Sequence, residues 1–168
     1  MSAQAGYIWA GYTFQNVPWQ PRISYRYAGF SGDNPNTSTY ERFDSLRGGG
    51  LGDWLQGINL AKVYPNGNLL SHRLEFQVNP TSTLQFSLDY FYLFADQLNN
   101  LGGRPVLSSL ESRDIGQEVM LTTRWSVSQN LFLLGIASIA FPGSAIQRAV
   151  TEETSPWLTF QISLFLGF

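Results

Sequence analysis

The chain has 168 residues, no cysteine, a formal net charge of −2 and charged side chains at only 13% of its positions. The lack of cysteine excludes disulfides, thiolate metal sites and a thiol nucleophile, and so small a net charge does not indicate a nucleic-acid partner. Charged residues are about half as frequent as in soluble domains, whereas aromatic residues reach 15%. No apolar run approaches the roughly 20 residues that a membrane helix needs. The composition therefore favours membrane-spanning strands over membrane-spanning helices.

The first residues do not form a signal peptide. Residues 1–3 lack both a basic region and an apolar stretch. Because an exported protein needs such a signal, we expect a mature or trimmed form with an added start methionine, or a piece of a longer chain. We treat residues 1–168 as one domain, which is long enough to bury a core.

Two predicted strands open the chain. Residues 5–14 are apolar or aromatic on both faces, and residues 21–30 alternate between basic or small side chains and aromatic ones. In strand one we place four side chains toward lipid: Ile8, Ala10, Tyr12 and Phe14. In strand two Arg22 and Arg26 share a face. Since an arginine facing lipid near the midplane costs about 2–4 kcal/mol, both are predicted to face the lumen.

The same alternation recurs in the middle of the chain. We predict strands at residues 70–79, 84–94 and 115–126. Successive side chains of a strand point to opposite faces, so each strand has one apolar face and one polar face. The apolar face is clearest in residues 84–94, with Leu84, Phe86, Leu88, Tyr90, Tyr92 and Phe94. The opposite faces carry the charged residues Arg73, Glu75, Asp89, Glu118 and Arg124.

Residues 131–141 are a sixth predicted strand, apolar on both faces, and residues 157–168 are the last. In the last strand one face is wholly apolar: Leu158, Phe160, Ile162, Leu164, Leu166 and Phe168. A transmembrane barrel needs this pattern, with the apolar face toward lipid and the polar face toward the lumen. A terminal strand that closes on phenylalanine also resembles outer-membrane barrel proteins as a group.

The connections alternate in length along the chain. Short turns are predicted at residues 15–20, 79–83 and 127–130, and long loops at residues 31–69, 95–114 and 142–156. Residues 53–64 of the first long loop fit either a short helix or a loop hairpin. Transmembrane barrels have short turns on one side of the membrane and long loops on the other. The connections therefore support the same fold as the strand alternation, independently of it.

We therefore predict an all-β protein, an antiparallel transmembrane β-barrel in the bacterial outer membrane. About seven strands are recognisable, whereas single-chain bacterial barrels have an even number. Because unpaired strand edges are not tolerated in lipid, three alternatives are open. The first long loop contains an eighth strand, the chain is the C-terminal part of a larger barrel, or copies of the chain assemble into a homo-oligomer.

Several segments resemble the C-terminal region of the alginate-export family of outer-membrane proteins. The resemblance covers most of residues 4–168 and depends on the order and spacing of residues 21–33, 43–46, 115–122, 128–131 and 140–143. It implies a porin-like barrel with an electropositive lumen that passes an anionic polysaccharide. Family members are larger barrels, so the resemblance implies a fragment or a shortened relative that lacks the N-terminal strands.

The predicted lumen carries arginines and carboxylates on alternate strand positions. It comprises Arg22, Arg26, Arg73 and Arg124 with Glu75, Asp89 and Glu118. An arginine ladder would bind carboxylated sugar, because guanidinium pairs with carboxylate through two hydrogen bonds. Alternatively, the same groups pair across strands and fill a narrow lumen without transport. In an isolated small barrel we favour the second interpretation.

Other motifs have simpler interpretations. His72, the only histidine, follows Ser71, and adjacent strand residues face opposite ways, so a lipid-hydrolase dyad is not expected. Residues 33–36 form a turn rather than a calcium site, and residues 48–50 do not form a phosphate loop. Four aromatic residues are assigned to the interfacial girdle: Tyr90, Tyr92, Trp125 and Trp157.

Two function hypotheses that are not enzymatic remain, and a barrel lipid hydrolase is a third. The first is a porin-like protein that passes anionic solutes, with membrane lipid and an anionic polysaccharide as partners. The second is a structural or engineered barrel unit, or an assembling barrel fragment, with a plugged lumen. We expect no catalytic residues, cofactor, metal or nucleic acid in either case.

Overall fold

The computed structural model describes residues 1–44, 56–150 and 154–167. These residues form an all-β fold with one seven-stranded antiparallel sheet, which confirms the predicted fold class. The strands are β1 (Ala5–Thr13), β2 (Arg22–Phe30), β3 (Leu69–Val78), β4 (Leu84–Ala95), β5 (Asp114–Ser126), β6 (Leu131–Pro142) and β7 (Trp157–Leu166). The connections hold two short helices, α1 (Leu60–Val63) and α2 (Ser144–Val150), and one 3-10 turn (Pro105–Leu107). All seven predicted strands are present, with ends that differ by one or two residues.

Each strand pairs with its neighbours in the chain, in the order β1 to β7. The short and long connections alternate as predicted, so the three long ones emerge from the same end of the sheet. The sheet is not closed: within the described ranges, β1 and β7 are its edges and do not pair with each other. No eighth strand occurs among the described loop residues, 31–44 and 56–68. Residues 45–55 and 168 lie outside the described residues, as do residues 48–50 of the excluded phosphate loop.

The strand register gives the sheet an outer and an inner face. We define the outer face by the row of paired residues Ile23, Phe76, Leu88, Leu121, Ala137 and Phe160, which crosses six strands. Strand β1 joins the same face, since Ile8 pairs with Tyr27 and Tyr12 pairs with Ile23. The outer face is exposed and apolar, most of all in β7, where Phe160 is 80% and Ile162 is 77% exposed. The register confirms the predicted alternation of an apolar and a polar face, and contact of the apolar face with lipid stays a prediction.

The inner face, which is the opposite side of the sheet, carries the core between β4, β5 and β6. Phe91, Met120 and Ala140 are fully or almost fully buried on it. They form one cluster with Leu60 and Tyr64 of the first long connection, and further members come from the other two long connections. The long connections therefore cover this half of the sheet. The inner side of β1, in contrast, stays open, and every residue of that strand is exposed.

Two details differ from the sequence prediction, and the structure decides one alternative that the sequence left open. The third long loop contains α2, seven residues that pack against β5. Trp157 is not a girdle residue: it pairs with buried Ala140 and packs against the core on the inner face. Its bulky ring packs at the end of the inner side near the long connections, among the mostly small or polar residues of that face of β7. In residues 53–64 the described part contains α1, so the helix interpretation is confirmed there.

The β4–β5 pairing contains a register shift between Leu93 and Phe94. Gly116 lies beside it with φ +137°, a conformation that side chains rarely adopt, and a Cβ atom there would collide with the backbone of β6. A bulge at this position ends the regular ladder next to the long connections. Among the residues that the structure describes, no helix is long and apolar enough to cross a membrane.

Candidate functional site

The register places all seven predicted lumen residues on the inner face. Arg26 pairs with Arg73, and Glu75 pairs with Asp89 in the next row. Arg22, Glu118 and Arg124 follow on the same face of β2 and β5. The alternation thus predicts their side of the sheet correctly. Their role in binding a solute stays a prediction, because the contacts divide them into separate groups.

The first group is a buried ion-pair network. Arg73 donates from Nε to Asp89 Oδ1 at 2.7 Å and from its terminal nitrogen to Glu75 Oε1 at 2.9 Å. Ser24 donates its hydroxyl to the other Glu75 oxygen at 2.7 Å. The side chains are 11% exposed in Arg73, 14% in Glu75 and 1% in Asp89. Such pairing across strands is the alternative to solute binding that the sequence left open. The contacts of Arg73 follow that alternative, since they join neighbouring strands of the sheet.

The second group lies at the open side of the sheet. The Arg22 guanidinium lies over the ring of Trp9, 4.6 Å from its centroid. Trp9 is 48% exposed, and Arg22 is half-buried. A guanidinium over an indole face gains cation–π attraction, which holds its position while its edge can still donate hydrogen bonds. Arg26 is opposite Trp9 in the register, which places both arginines beside the same indole. Trp9 was not assigned a role from the sequence, because both faces of strand one are aromatic.

Arg124 belongs to neither group. It lies near the short-turn end of the sheet, where it donates to Gln85 Oε1 at 3.2 Å and to Ser87 Oγ at 3.5 Å. Both of these partners are neutral and belong to the neighbouring strand. These contacts connect β5 to β4 near the turn, three strands away from Arg22 on β2.

The third group is centred on Glu118, which is fully buried. Its carboxylate accepts hydrogen bonds from the backbone N–H groups of Ile58 at 2.8 Å, Asn59 at 3.0 Å and Leu60 at 2.9 Å. Ser138 donates its hydroxyl to the same carboxylate at 2.5 Å. Charge-assisted hydrogen bonds of this kind contribute about 1.5–3 kcal/mol each. Glu118 therefore binds the first long connection rather than facing an open passage.

A polar network also joins the long connections to one another. Asn68 donates to the backbone oxygen of Gln97 at 2.9 Å, and Tyr64 donates its hydroxyl to the Asn68 oxygen at 2.9 Å. Burial raises the pKa of the Tyr64 hydroxyl above its usual value, so it remains a donor at neutral pH. Arg42 donates to Asn100 at 2.6 Å. These contacts hold the first and second long connections together over one end of the sheet.

The remaining sequence motifs have structural roles. Ser71 is buried on the inner face, whereas His72 is on the outer face, so the two side chains do not meet. His72 Nδ1 lies 2.7 Å from the Tyr25 hydroxyl and its ring contacts Phe94, which agrees with an aromatic band near the long connections. In the predicted turn at 33–36, Asn34 accepts a hydrogen bond from the Asn36 backbone at 3.0 Å.

Comparison with known proteins agrees with the resemblance in the sequence motifs. The family model described as alginate export matches residues 1–157. The chain belongs to the alginate-export family. Alginate-export proteins are bacterial outer-membrane transport proteins of porin type, which fits the all-β sheet with its apolar outer face. No curated protein is similar enough to count as a relative.

Proposed function

We propose that this chain forms part of the wall of an outer-membrane passage for anionic polysaccharide. In this proposal Arg22 and Arg26 contact the solute. The observation that carries the proposal is the guanidinium of Arg22 over half-exposed Trp9, at the side of the inner face that the long connections leave open. A carboxylated sugar offers the oxygen pair that a guanidinium binds through two hydrogen bonds. Membership of the alginate-export family supports this class of solute.

The proposal divides the seven predicted lumen residues by their contacts. Arg73 is paired with both Glu75 and Asp89, which leaves this group with one formal negative charge, and Glu118 is bound by backbone N–H groups. Arg22 and Arg26 lie on β2, next to the open strand β1. Positive charge toward a passing solute therefore comes from the β1–β2 side. Transport rather than catalysis is also supported by the separation of Ser71 and His72 on opposite faces.

A double substitution tests the role of these arginines. Arg22→Ser with Arg26→Ser is expected to lower the affinity for an alginate oligosaccharide and to reduce anion preference by about twofold to fivefold, since a unit charge at about 4 Å contributes roughly 1 kcal/mol in water. Isothermal titration calorimetry on detergent-folded protein measures the affinity, and the reversal potential in planar bilayers measures the preference. Both effects should weaken at high salt because exposed charges are screened.

The control removes one positive charge elsewhere. Arg148→Ser affects an exposed residue of α2 whose partner, Glu111, lies 3.7 Å away. It should leave both measurements within about 20% of the starting protein, as expected for an exposed pair. Equal affinity and equal selectivity in the Arg22 and Arg26 double variant would remove these arginines from the proposed function.

A structural role is the second candidate, and the covered half of the inner face favours it. The inner residues of β4, β5 and β6 are buried beneath the long connections. A barrel unit with a filled interior would bind no oligosaccharide and carry no steady current. Absence of both signals, in protein that is shown to be folded, would support this role.

A further inference from the structure

The first long connection packs on the inner face through apolar core residues, and one carboxylate of the wall binds its backbone. Three consecutive backbone N–H groups, those of Ile58, Asn59 and Leu60, converge on Glu118. Consecutive N–H groups of this kind form a concave site for an anion. Glu118 is a residue of the wall, 58 to 60 positions away in sequence. The contact therefore fixes a loop segment to the sheet rather than stabilising a local turn.

Side chains extend this contact across two more strands. The Asn59 amide donates to the Ser138 hydroxyl on β6 at 3.3 Å, and it accepts a hydrogen bond from the Thr159 hydroxyl on β7 at 2.5 Å. The segment thus spans the inner side of β5, β6 and β7. Anything that passes along this part of the wall must move around it.

The contact between this segment and Glu118 also requires a residue without a side chain at position 57, which is Gly57. Its φ is +75°, and a Cβ atom at this position would overlap the Glu118 carboxyl group. Only glycine combines this backbone conformation with so close an approach. The segment and the carboxylate are therefore complementary in shape as well as in charge.

We infer that Glu118 is a positioning residue that holds residues 57–60 as a constriction of the passage. This inference depends on the proposed function, because a constriction has meaning only if solute passes along the inner face. When the carboxylate is removed, the three N–H groups lose their common acceptor and the segment leaves the wall. The passage then widens on the side of β5, β6 and β7.

A single cysteine tests whether the segment moves. The chain contains no cysteine, so Ile58→Cys provides a unique thiol at a position that is 3% exposed. With Glu118 present, the thiol should react slowly with a membrane-impermeant maleimide. In the Glu118→Ala background it should react about tenfold faster or more, because several charge-assisted hydrogen bonds are lost. Added formate, which supplies the missing carboxylate, should restore protection, and chloride should not.

The matched control is Glu75→Gln, which removes one negative charge from the same face but belongs to the Arg73 network. Protection of the thiol should be unchanged in this variant. If Glu118→Ala does not fold, Gly57→Ala provides the second route, since it keeps the carboxylate but blocks the approach. Circular dichroism and heat-dependent electrophoretic mobility identify folded protein.

Conductance tests the constriction itself. The Glu118→Ala variant should carry a larger single-channel current than the starting protein in planar bilayers. Equal protection of the thiol in both backgrounds would overturn the inference, and so would an exposed thiol without any gain in current. A separate measurement tests the proposed function. If that function is wrong, the protein shows no oligosaccharide binding that depends on Arg22, whatever the thiol protection is.

Discussion

Replacing Arg73 with leucine is expected to lower the free energy of unfolding by about 3–5 kcal/mol, the usual cost of breaking a buried ion pair. Asp89 is fully buried, and Arg73 is its hydrogen-bond donor at 2.7 Å. The second oxygen of Asp89 has no hydrogen-bond partner among the described residues. Without Arg73, Asp89 would also face the Glu75 carboxylate, its partner in the strand register, with no cation between them.

Urea unfolding in detergent micelles, followed by tryptophan fluorescence, measures this loss. The triple variant Arg73→Leu, Asp89→Leu and Glu75→Gln should recover most of it, because it leaves no carboxylate of the network without its cation, and apolar residues replace a buried ion pair with little net cost. Arg148→Leu is the control, since the Arg148–Glu111 pair is 57% and 75% exposed and contributes little. A loss of equal size in the Arg73 and Arg148 variants would show that the network does not stabilise the wall.

The strands and their faces could be predicted from the sequence because period-two alternation is a local property. Phe160 and Leu88 repeat every second residue with their apolar neighbours, and the register confirms that they share a face. The same reasoning placed Arg73 and Glu118 on the other face. A shift of one residue would turn every polar side chain toward the apolar face, so the pattern allows only one orientation.

The contacts of those residues could not be predicted in the same way. Glu118 binds backbone N–H groups about 60 residues away, and any residue type except proline supplies such a group. Gly57 was a signal that this segment makes a close approach, but the sequence does not show to which strand. Trp157 was wrongly assigned to the girdle because it is aromatic and lies at a strand end, although alternation puts it on the inner face with Thr159, where it packs against the core.

Replacing Phe160 with lysine is expected to destabilise the protein in lipid by about 2–4 kcal/mol, the cost of a cation on the lipid face near the midplane. Phe160 is 80% exposed and belongs to the apolar row that crosses six strands through Leu121 and Leu88. An exposed apolar row of this extent indicates a surface that contacts either lipid or another protein. The stability of the variant therefore tests directly whether the outer face contacts lipid.

The neighbouring residue of the same strand supplies the control. Gln161 follows Phe160 in β7 but pairs with Ile136 on the inner face. Gln161→Lys adds the same charge at nearly the same depth, and we expect a loss below about 1 kcal/mol because the cation does not face lipid. Reversible unfolding from lipid vesicles measures both variants. The difference in free energy of unfolding between the Phe160 and Gln161 variants measures how much less the outer face tolerates a cation than the inner face. Equal losses of stability in the two variants would contradict a lipid-facing outer surface.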